Sequence, residues 1–228
     1  MSNMVNGIPN MVSGTHYGNL QKVRNGKRTF GITPHIPGGF ITIENLEKIT
    51  NVAKKYNGVI KITSGQRILI TNLNGEDLPK IWKELGMEPA VRKQNSVKNV
   101  EMCPAGYCKR SKFNTISTGM KLLNKYQNMD MPCRTKIGVA GCKNACGSVY
   151  SKDIGVIADK TGFLVTAGGS AGYNPRLADI IIQDVSEDEA LKIVDNIFKV
   201  YKSLGEAGEK LGDFIDRIGI DNFKEKVL

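Results

Sequence analysis

The sequence predicts an α+β protein, and three features of its periodicity support this fold class. In the first half, stretches of alternating apolar residues, typical of strands, are separated by stretches with the spacing of amphipathic helices. In the second half, a strand pair is predicted over 154–158 and 162–167, with a turn between the two strands. Two helical segments, 186–204 and 206–218, then follow, so strands and helices do not alternate strictly.

The first half is predicted to begin with an N-terminal arm, because residues 1–20 are rich in Asn, Gly, Ser and Met and have no clear period. A compact strand–helix–strand–helix unit is expected to follow over 21–95. Its predicted elements are strands over 23–33 and 40–43, a helix over 44–56, one or two strands over 59–70 and a helix over 77–85.

The second half, 96–228, contains all five cysteines. The elements predicted ahead of its strand pair are a loop over 103–111, a helix that ends near 125, a strand over 136–139 and a helical turn over 144–149. The glycine-rich segment over 168–172 matches neither a P-loop nor a G-x-G-x-x-G motif. We therefore expect close backbone packing there rather than a nucleotide site.

The composition is that of a soluble globular protein, with 40% hydrophobic and 24% charged residues in a chain of 228. No apolar run approaches the ~20 residues needed to cross a bilayer, and the first residues lack the pattern of a signal peptide. The cysteine count is odd, which favours a reducing compartment over a disulfide framework. We therefore expect a cytoplasmic protein without a membrane partner.

The cysteines indicate a metal centre. Four of the five form two close pairs, Cys103 with Cys108 and Cys142 with Cys146. The second pair has the i, i+4 spacing that places both sulfurs on one face of a helical turn. Zinc is one candidate, but the familiar C-x2-C spacing of zinc sites is absent. Iron–sulfur clusters accept more varied spacings, so an iron–sulfur centre is favoured.

The formal net charge of +10 predicts acidic partners. Arg134 and Lys136 alternate along a predicted strand, so their side chains are expected to share one face near the second cysteine pair. Nucleic acid is the usual partner of a basic protein. Here the basic residues are scattered and the aromatic residues form no RNA-binding signature, so nucleic acid is not predicted.

Several motifs occur together in an order that identifies a family resemblance. The chain resembles the siroheme and 4Fe-4S nitrite/sulfite reductase family over most of its length. The motifs are PGG at 37–39, ITSGQRI at 62–68, MPCRTKIG at 131–138, GCKNAC at 141–146 and SKDIG at 151–155. The resemblance implies a ferredoxin-like nitrite/sulfite reductase half-domain over 21–95 and a siroheme/4Fe-4S-binding α+β domain over 96–228.

The resemblance also implies the ligands. In this family a C-x5-C pair and a C-x3-C pair hold the 4Fe-4S cluster, which makes Cys103, Cys108, Cys142 and Cys146 the expected ligands, with Cys146 also bridging to the siroheme iron. The chain departs from the pattern at two points. Its first pair is C-x4-C, one residue short, and Cys133 stands where the family often has a basic residue.

The substrate and siroheme sites follow from the same resemblance. Arg134 and Lys136 align with the two lysines that hold the oxyanion in sulfite reductases of this family. Gly65 occupies the position of the family's distal arginine, and Arg67 is the candidate replacement two residues later. His35 is a candidate proton relay. The candidate siroheme-binding residues are Lys61, Arg67, Arg134, Lys136, Asn144, Arg176 and Cys146.

The implied reaction is a six-electron reduction of a small oxyanion, with sulfite to sulfide preferred by analogy with small members of the family. Reduction of nitrite to ammonia is the alternative that the Gln66-Arg67 pair favours. Electrons are expected from an external acidic donor such as ferredoxin, because the sequence has no flavin or NAD(P) signature. A non-catalytic siroheme or cluster carrier and a zinc-containing nucleic-acid-binding module remain as alternatives of other classes.

Overall fold

The computed structural model describes residues 17–24 and 26–228. The chain forms two compact units, of which the first ends at Gln94 and the second is Asn95–Leu228. Residues 1–16 of the predicted arm lie outside the described residues. Among the described helices, none is long and apolar enough to cross a membrane.

In its described residues, the first unit is an antiparallel sheet with two helices. Its four strands are β1 (Asn19–Arg24), β2 (Lys27–Ile32), β3 (Val59–Ile62) and β4 (Ile68–Leu73), in the order β1-β2-β4-β3. The helices are α1 (Ile43–Lys55) and α2 (Leu78–Leu85). Apolar side chains of β2 and β4 pack with those of both helices in one core, which contains Ile32, Ile49, Val52, Ile70, Leu73, Leu78, Ile81 and Leu85.

Local sequence explains where these helices begin and end. The Thr42 side chain accepts a hydrogen bond from the Asn45 N–H at 3.2 Å, which caps the first turn of α1. Helix α2 ends at Gly86, whose φ of +58° is the left-handed conformation that glycine adopts without strain.

Two predictions for the first unit are wrong. The segment predicted as one strand over 23–33 lies within a hairpin of β1 and β2, because Gly26 turns the chain with a φ of +73°. The strand predicted over 40–43 does not form. Gly38 and Gly39 both have positive φ, at 57° and 81°, and α1 begins soon afterwards at Ile43.

The second unit is a mixed five-stranded sheet with four helices. Its strands are β5 (Val97–Met102), β6 (Thr135–Ala140), β7 (Ile154–Asp159), β8 (Gly162–Ala167) and β9 (Asp179–Val185), paired in chain order. Strands β5, β6 and β7 are parallel, whereas β8 and β9 are antiparallel to their neighbours. The helices are α3 (Thr115–Tyr126), α4 (Glu187–Leu204), α5 (Leu211–Ile218) and α6 (Ile220–Val227).

The two faces of this sheet differ in chemistry. Ile137 and Val139 of β6 belong to the main apolar core, which also contains buried residues of all four helices. The alternate positions of β6 are Lys136 and Gly138, and Glu101 of β5 pairs with Gly138 in the ladder. Because side chains alternate along a strand, Glu101, Lys136 and Gly138 lie on the face opposite the core, where a smaller apolar cluster with Ile157 and Leu164 also packs.

Sequence reasoning missed part of the second unit. It gave no strand at β5 or β9 and no helix at α6. The helix predicted over 206–218 begins only at Leu211, because residues 205–210 form a loop in which Gly208 has a φ of +86°. The segments predicted over 154–158, 162–167 and 186–204 agree with β7, β8 and α4.

We predict that Ile70→Ala lowers the free energy of unfolding by about 2–5 kcal/mol, because Ile70 is fully buried in the first core. The matched control is Ile62→Ala. Ile62 is 80% exposed on the edge strand β3, and its replacement should change stability by less than about 0.5 kcal/mol. Urea unfolding of both variants checks the difference. Equal losses would contradict the assigned core.

Candidate functional site

The parallel pairing of β5 and β6 brings the two cysteine pairs to one edge of the sheet. Cys103 directly follows β5, and Cys142 follows β6 by two residues. The carboxyl ends of parallel neighbours lie at the same edge. The Cys103 N–H donates to the Val139 carbonyl at 3.0 Å, which extends the ladder up to the first cysteine.

Hydrogen bonds through Gly141 hold the two cysteine loops together. The Gly141 N–H donates to Cys103 Sγ at 3.2 Å, and the Gly141 carbonyl accepts from the Lys112 N–H at 2.8 Å. The Ser111 hydroxyl also lies 3.3 Å from that carbonyl. A Cβ at position 141 would overlap with the Ser111 hydroxyl. The close contact between the loops therefore requires glycine.

The second cysteine pair does not lie on a helical turn, contrary to the prediction. Two successive turns hold it, with the Ala145 N–H donating to the Cys142 carbonyl at 3.1 Å and the Ser148 N–H to the Ala145 carbonyl at 2.9 Å. Ala145 and Ser148 have φ values of +44° and +54°, which an α-helix does not accommodate. The Asn144 amide donates to Cys146 Sγ at 2.8 Å.

The donor set at this edge fits a thiolate-bound cluster. All five cysteines are free thiols, and the sulfurs of Cys103 and Cys146 each accept an N–H hydrogen bond. Such bonds to sulfur tune the potential of an iron–sulfur cluster. Among the described residues, no three His, Cys, Asp or Glu side chains converge on a single ion. The thiolates of a cubane bind separate irons, so a cluster does not need such convergence.

A small cationic cavity lies at the opposite ends of β6 and β7, where these strands begin. Its volume is about 80 Å³. Arg134 and Lys136 both line it, as the alternation along β6 predicted. Sequence reasoning did not assign the other charged residues. The remaining lining residues are Ser151, Lys152, Asp153, Gly169, Ser170, Ala171, Gly172 and Lys210.

Glu101 connects this cavity with the cysteine edge. It is 4% exposed and lies two residues before Cys103. One carboxylate oxygen is 2.5 Å from Lys152 Nζ, and the other is 3.6 Å from Lys136 Nζ. Lys152 reaches Glu101 because Gly138 has no side chain in its path. A buried carboxylate thus holds two of the cavity's lysines. Its only sequence signal was that Glu101 is the one acidic residue of β5.

Asp153 is the second buried carboxylate beside the cavity. It accepts a hydrogen bond from the Lys136 N–H at 2.8 Å. Burial raises the pKa of Asp153 to about 6, although Lys210 and Arg134 act in the opposite direction. Burial also raises the pKa of the neighbouring Cys133 thiol. Cys133 does not line the cavity.

Arg176, a predicted siroheme partner, is engaged within the second unit. Its guanidinium donates to Asp179 at 2.6 Å, to Asp216 at 2.8 Å and to the Gly168 carbonyl at 3.1 Å. These contacts fasten the loop after β8 to α5. Arg176 does not line the cationic cavity, and its proposed role toward siroheme stays a prediction.

Three predicted site residues belong to the first unit. Lys61 is exposed on the edge strand β3. Burial lowers the pKa of His35, and the positive charges of Arg67 and Arg92 lower it further. Arg67 lines a cavity of about 180 Å³ in this unit. The catalytic and cofactor roles of these residues stay predictions.

Comparison with known families decides the class of this site. The model described as the nitrite and sulphite reductase 4Fe-4S domain matches residues 89–228, and that of the nitrite/sulfite reductase ferredoxin-like half domain matches 21–88. The chain belongs to the nitrite and sulfite reductase family. This finding confirms the predicted fold class and, since reductases of this family use siroheme and a 4Fe-4S cluster, the predicted cofactors.

Relatives of both substrate classes are similar to the chain. An assimilatory-type sulfite reductase of Nitratidesulfovibrio vulgaris is 29% identical over 89% of this chain and 94% of that protein. An NAD(P)H nitrite reductase of Emericella nidulans is 33% identical over 90% of this chain, and the NADH nitrite reductase large subunit of Escherichia coli is 28% identical over 88%. The chain spans only 19% and 24% of those two proteins.

Two solved structures share the fold. The Mycobacterium tuberculosis NirA protein superposes with a TM-score of 0.79 at 18% identity, covering 92% of this chain and 44% of that one. Dissimilatory sulfite reductase I gives a TM-score of 0.78 at 16% identity, covering 88% of this chain and 69% of that one. At these identities the similarity establishes the fold alone.

We predict that Gly141→Ala lowers cluster content at least several-fold, because the added methyl group would force the two cysteine loops apart. The matched control is Gly147→Ala on the other side of the same cysteine pair, where an added Cβ meets no atom within 4 Å. Iron and acid-labile sulfide per chain measure the effect. Full cluster content in the Gly141 variant would show that the loops can separate.

Asp153 gives a signed prediction for pH. Its pKa of about 6 is above the ordinary value of 3.8, so its stabilising contribution is present below about pH 4 and is lost as the pH rises through 6. A shift of about two pKa units corresponds to about 3 kcal/mol. Asp153→Asn should abolish this loss, so the variant gains on the natural protein as the pH rises. Urea unfolding from pH 4 to pH 7 checks this, and parallel stability curves would contradict it.

Proposed function

We propose that the chain reduces sulfite to sulfide, using siroheme and a 4Fe-4S cluster and taking electrons from a separate carrier protein. The half-domain is assigned to residues 21–95 and the cofactor-binding domain to 96–228. The Nitratidesulfovibrio vulgaris sulfite reductase is matched over 94% of its own length, which supports this substrate. The odd cysteine count supports a reducing compartment, so the cytoplasm is part of the proposal.

One observation carries the proposal most directly. A single sheet presents four cysteines of the family's cluster motifs at one edge and a cavity lined by Arg134, Lys136, Lys152 and Lys210 near the other. Glu101 lies two residues before Cys103 and forms an ion pair with Lys152 of the cavity. An electron-transfer centre and an anion site thus share one rigid element.

The residues suggest a division of roles. Cys103, Cys108, Cys142 and Cys146 would hold the cluster, and Asn144 would donate its amide hydrogen bond to the Cys146 sulfur. When bound, the cluster and siroheme supply electrons at low potential. The fixed cations of the cavity attract a small oxyanion and stabilise its charge. In this proposal, Lys136 Nζ donates a proton to the bound anion. The Arg134 guanidinium is too weak an acid to donate one readily.

Nitrite is the second candidate substrate. The Emericella nidulans nitrite reductase is the more similar relative by identity, at 33% against 29% for the Nitratidesulfovibrio vulgaris sulfite reductase. The glycine at position 65 and the Gln66-Arg67 pair also favour nitrite.

A carrier without turnover would bind both cofactors and reduce neither anion. Rates with sulfite and nitrite on one cofactor-loaded sample therefore separate all three proposals.

The proposal is tested on protein purified without oxygen, with absorption, iron and acid-labile sulfide measured on one sample. We expect siroheme and cluster bands, and faster turnover of sulfite than of nitrite with a reduced dye as donor. A colourless zinc protein would overturn the assignment.

The cavity is tested with Lys136→Ala, and Lys199→Ala on the exposed side of α4 is the control. We expect the Lys136 variant to lose at least about tenfold in turnover while keeping both cofactors, because it loses a fixed cation at the anion site. The control should keep the natural rate. Unchanged kinetics would exclude Lys136 from the site, and loss of siroheme would assign it to cofactor binding instead.

A further inference from the structure

The loop that carries Cys108 presents a compact group of cations to solvent. Lys109, Arg110 and Lys112 lie within four consecutive positions after that cysteine, and all three side chains are exposed. No described carboxylate forms an ion pair with any of them. Two exposed aromatic residues flank the group, Tyr107 at 85% and Phe113 at 42% exposure. We call residues 107–113 the cluster-loop surface.

Internal contacts hold the backbone of this surface in place. The Cys108 N–H donates to the Ala105 carbonyl, and the Ser111 N–H donates to the Cys108 carbonyl, both at 3.0 Å. The Lys112 N–H bonds to Gly141 of the other cysteine loop, and the Phe113 ring lies 5.2 Å from that of Phe163. A surface ordered in advance loses little conformational entropy when a partner binds.

Nearby lysines differ in that carboxylates of the same unit already pair with them. Lys121 and Lys125 of α3 bridge to Glu187 and Asp195 at 2.9 and 2.5 Å. Lys143, between the two cysteines of the second pair, bridges to Asp159. The three cations of the cluster-loop surface are thus available to an outside partner, whereas these neighbours serve the fold.

We propose that the cluster-loop surface docks an acidic one-electron carrier protein. The proposal rests on the proposed function, because it needs a cluster bound by Cys108. Cys108 is exposed, so a partner docked on this surface brings its redox centre close to that cluster. Complementary charge accelerates association, and aromatic residues among cations are typical of protein interfaces. In each encounter the reduced carrier would lose one electron, which a cluster held by Cys108 and the other three cysteines would accept. Six encounters reduce one sulfite to sulfide, with protons from solvent and release of water.

The test compares two charge-reversed triple variants. One carries Lys109→Glu, Arg110→Glu and Lys112→Glu. The control carries Lys192→Glu, Lys199→Glu and Lys202→Glu, all at exposed positions of α4. Both change the net charge by the same amount, so general attraction to an acidic protein weakens equally. The probe is an acidic plant-type 2Fe-2S ferredoxin, and calorimetry at several salt concentrations measures its Kd.

We expect the cluster-loop variant to bind the ferredoxin at least about tenfold more weakly and with a smaller salt dependence, and the control to change by less than about threefold. Equal weakening of both variants would overturn the proposal, because binding would then follow net charge alone. The corresponding alanine triple at 109, 110 and 112 serves if charge reversal impairs folding, with an intermediate effect expected.

Turnover with two donors separates this proposal from the proposed function. In the cluster-loop variant, we expect sulfite reduction driven by ferredoxin to fall at least about tenfold, whereas reduction driven by a small reduced dye stays the same. A parallel fall in both rates would overturn the docking role and assign the loop to cluster retention. If the natural protein shows no dye-driven turnover, the proposed function fails, while ferredoxin binding still tests the surface.

Discussion

The site depends on the parallel pairing of β5 with β6. This ladder alone brings cysteines nearly 40 positions apart in sequence to the same edge of a sheet, and it places Glu101 opposite Gly138. Strands β6 and β7 are also parallel. The segment that connects them consists of the second cysteine loop and a short turn, with no α-helix. The cluster motif is therefore part of the chain's topology, so its geometry is fixed by the sheet.

Glycines make this arrangement possible at two points. Gly141 lets the two cysteine loops touch, and Gly138 leaves the space through which Lys152 reaches a buried carboxylate. Isolated buried charges are costly, and Glu101 meets this cost with two lysines. The same lysines line the cationic cavity, so the charge balance of the core and the positive charge of the cavity depend on one cluster of three residues.

Basic residues serve three distinct purposes in the second unit. One group, around Arg176 and Arg217, forms ion pairs that hold loops and helices together. A second group lines the cavity. A third, on the cluster-loop surface, is exposed beside the cysteines. The net charge of +10, which is a sum over the whole chain, does not distinguish these groups. The assignment of each cation to binding or to stability depends on the carboxylates that the fold places near it.

The sequence by itself determined the fold class and the family, and it predicted the four thiol ligands, because motif order and periodicity are local patterns. It also predicted that Arg134 and Lys136 share a face, since alternation along a strand is a local property. The tertiary structure alone showed Lys152, Asp153 and Lys210 at the cavity and Glu101 paired with two of its lysines. These residues come from separate segments that only strand pairing and chain reversal bring together. Positive φ at Ala145 and Ser148 likewise replaced the predicted helical turn, because long-range packing determines the conformation of a crossover loop.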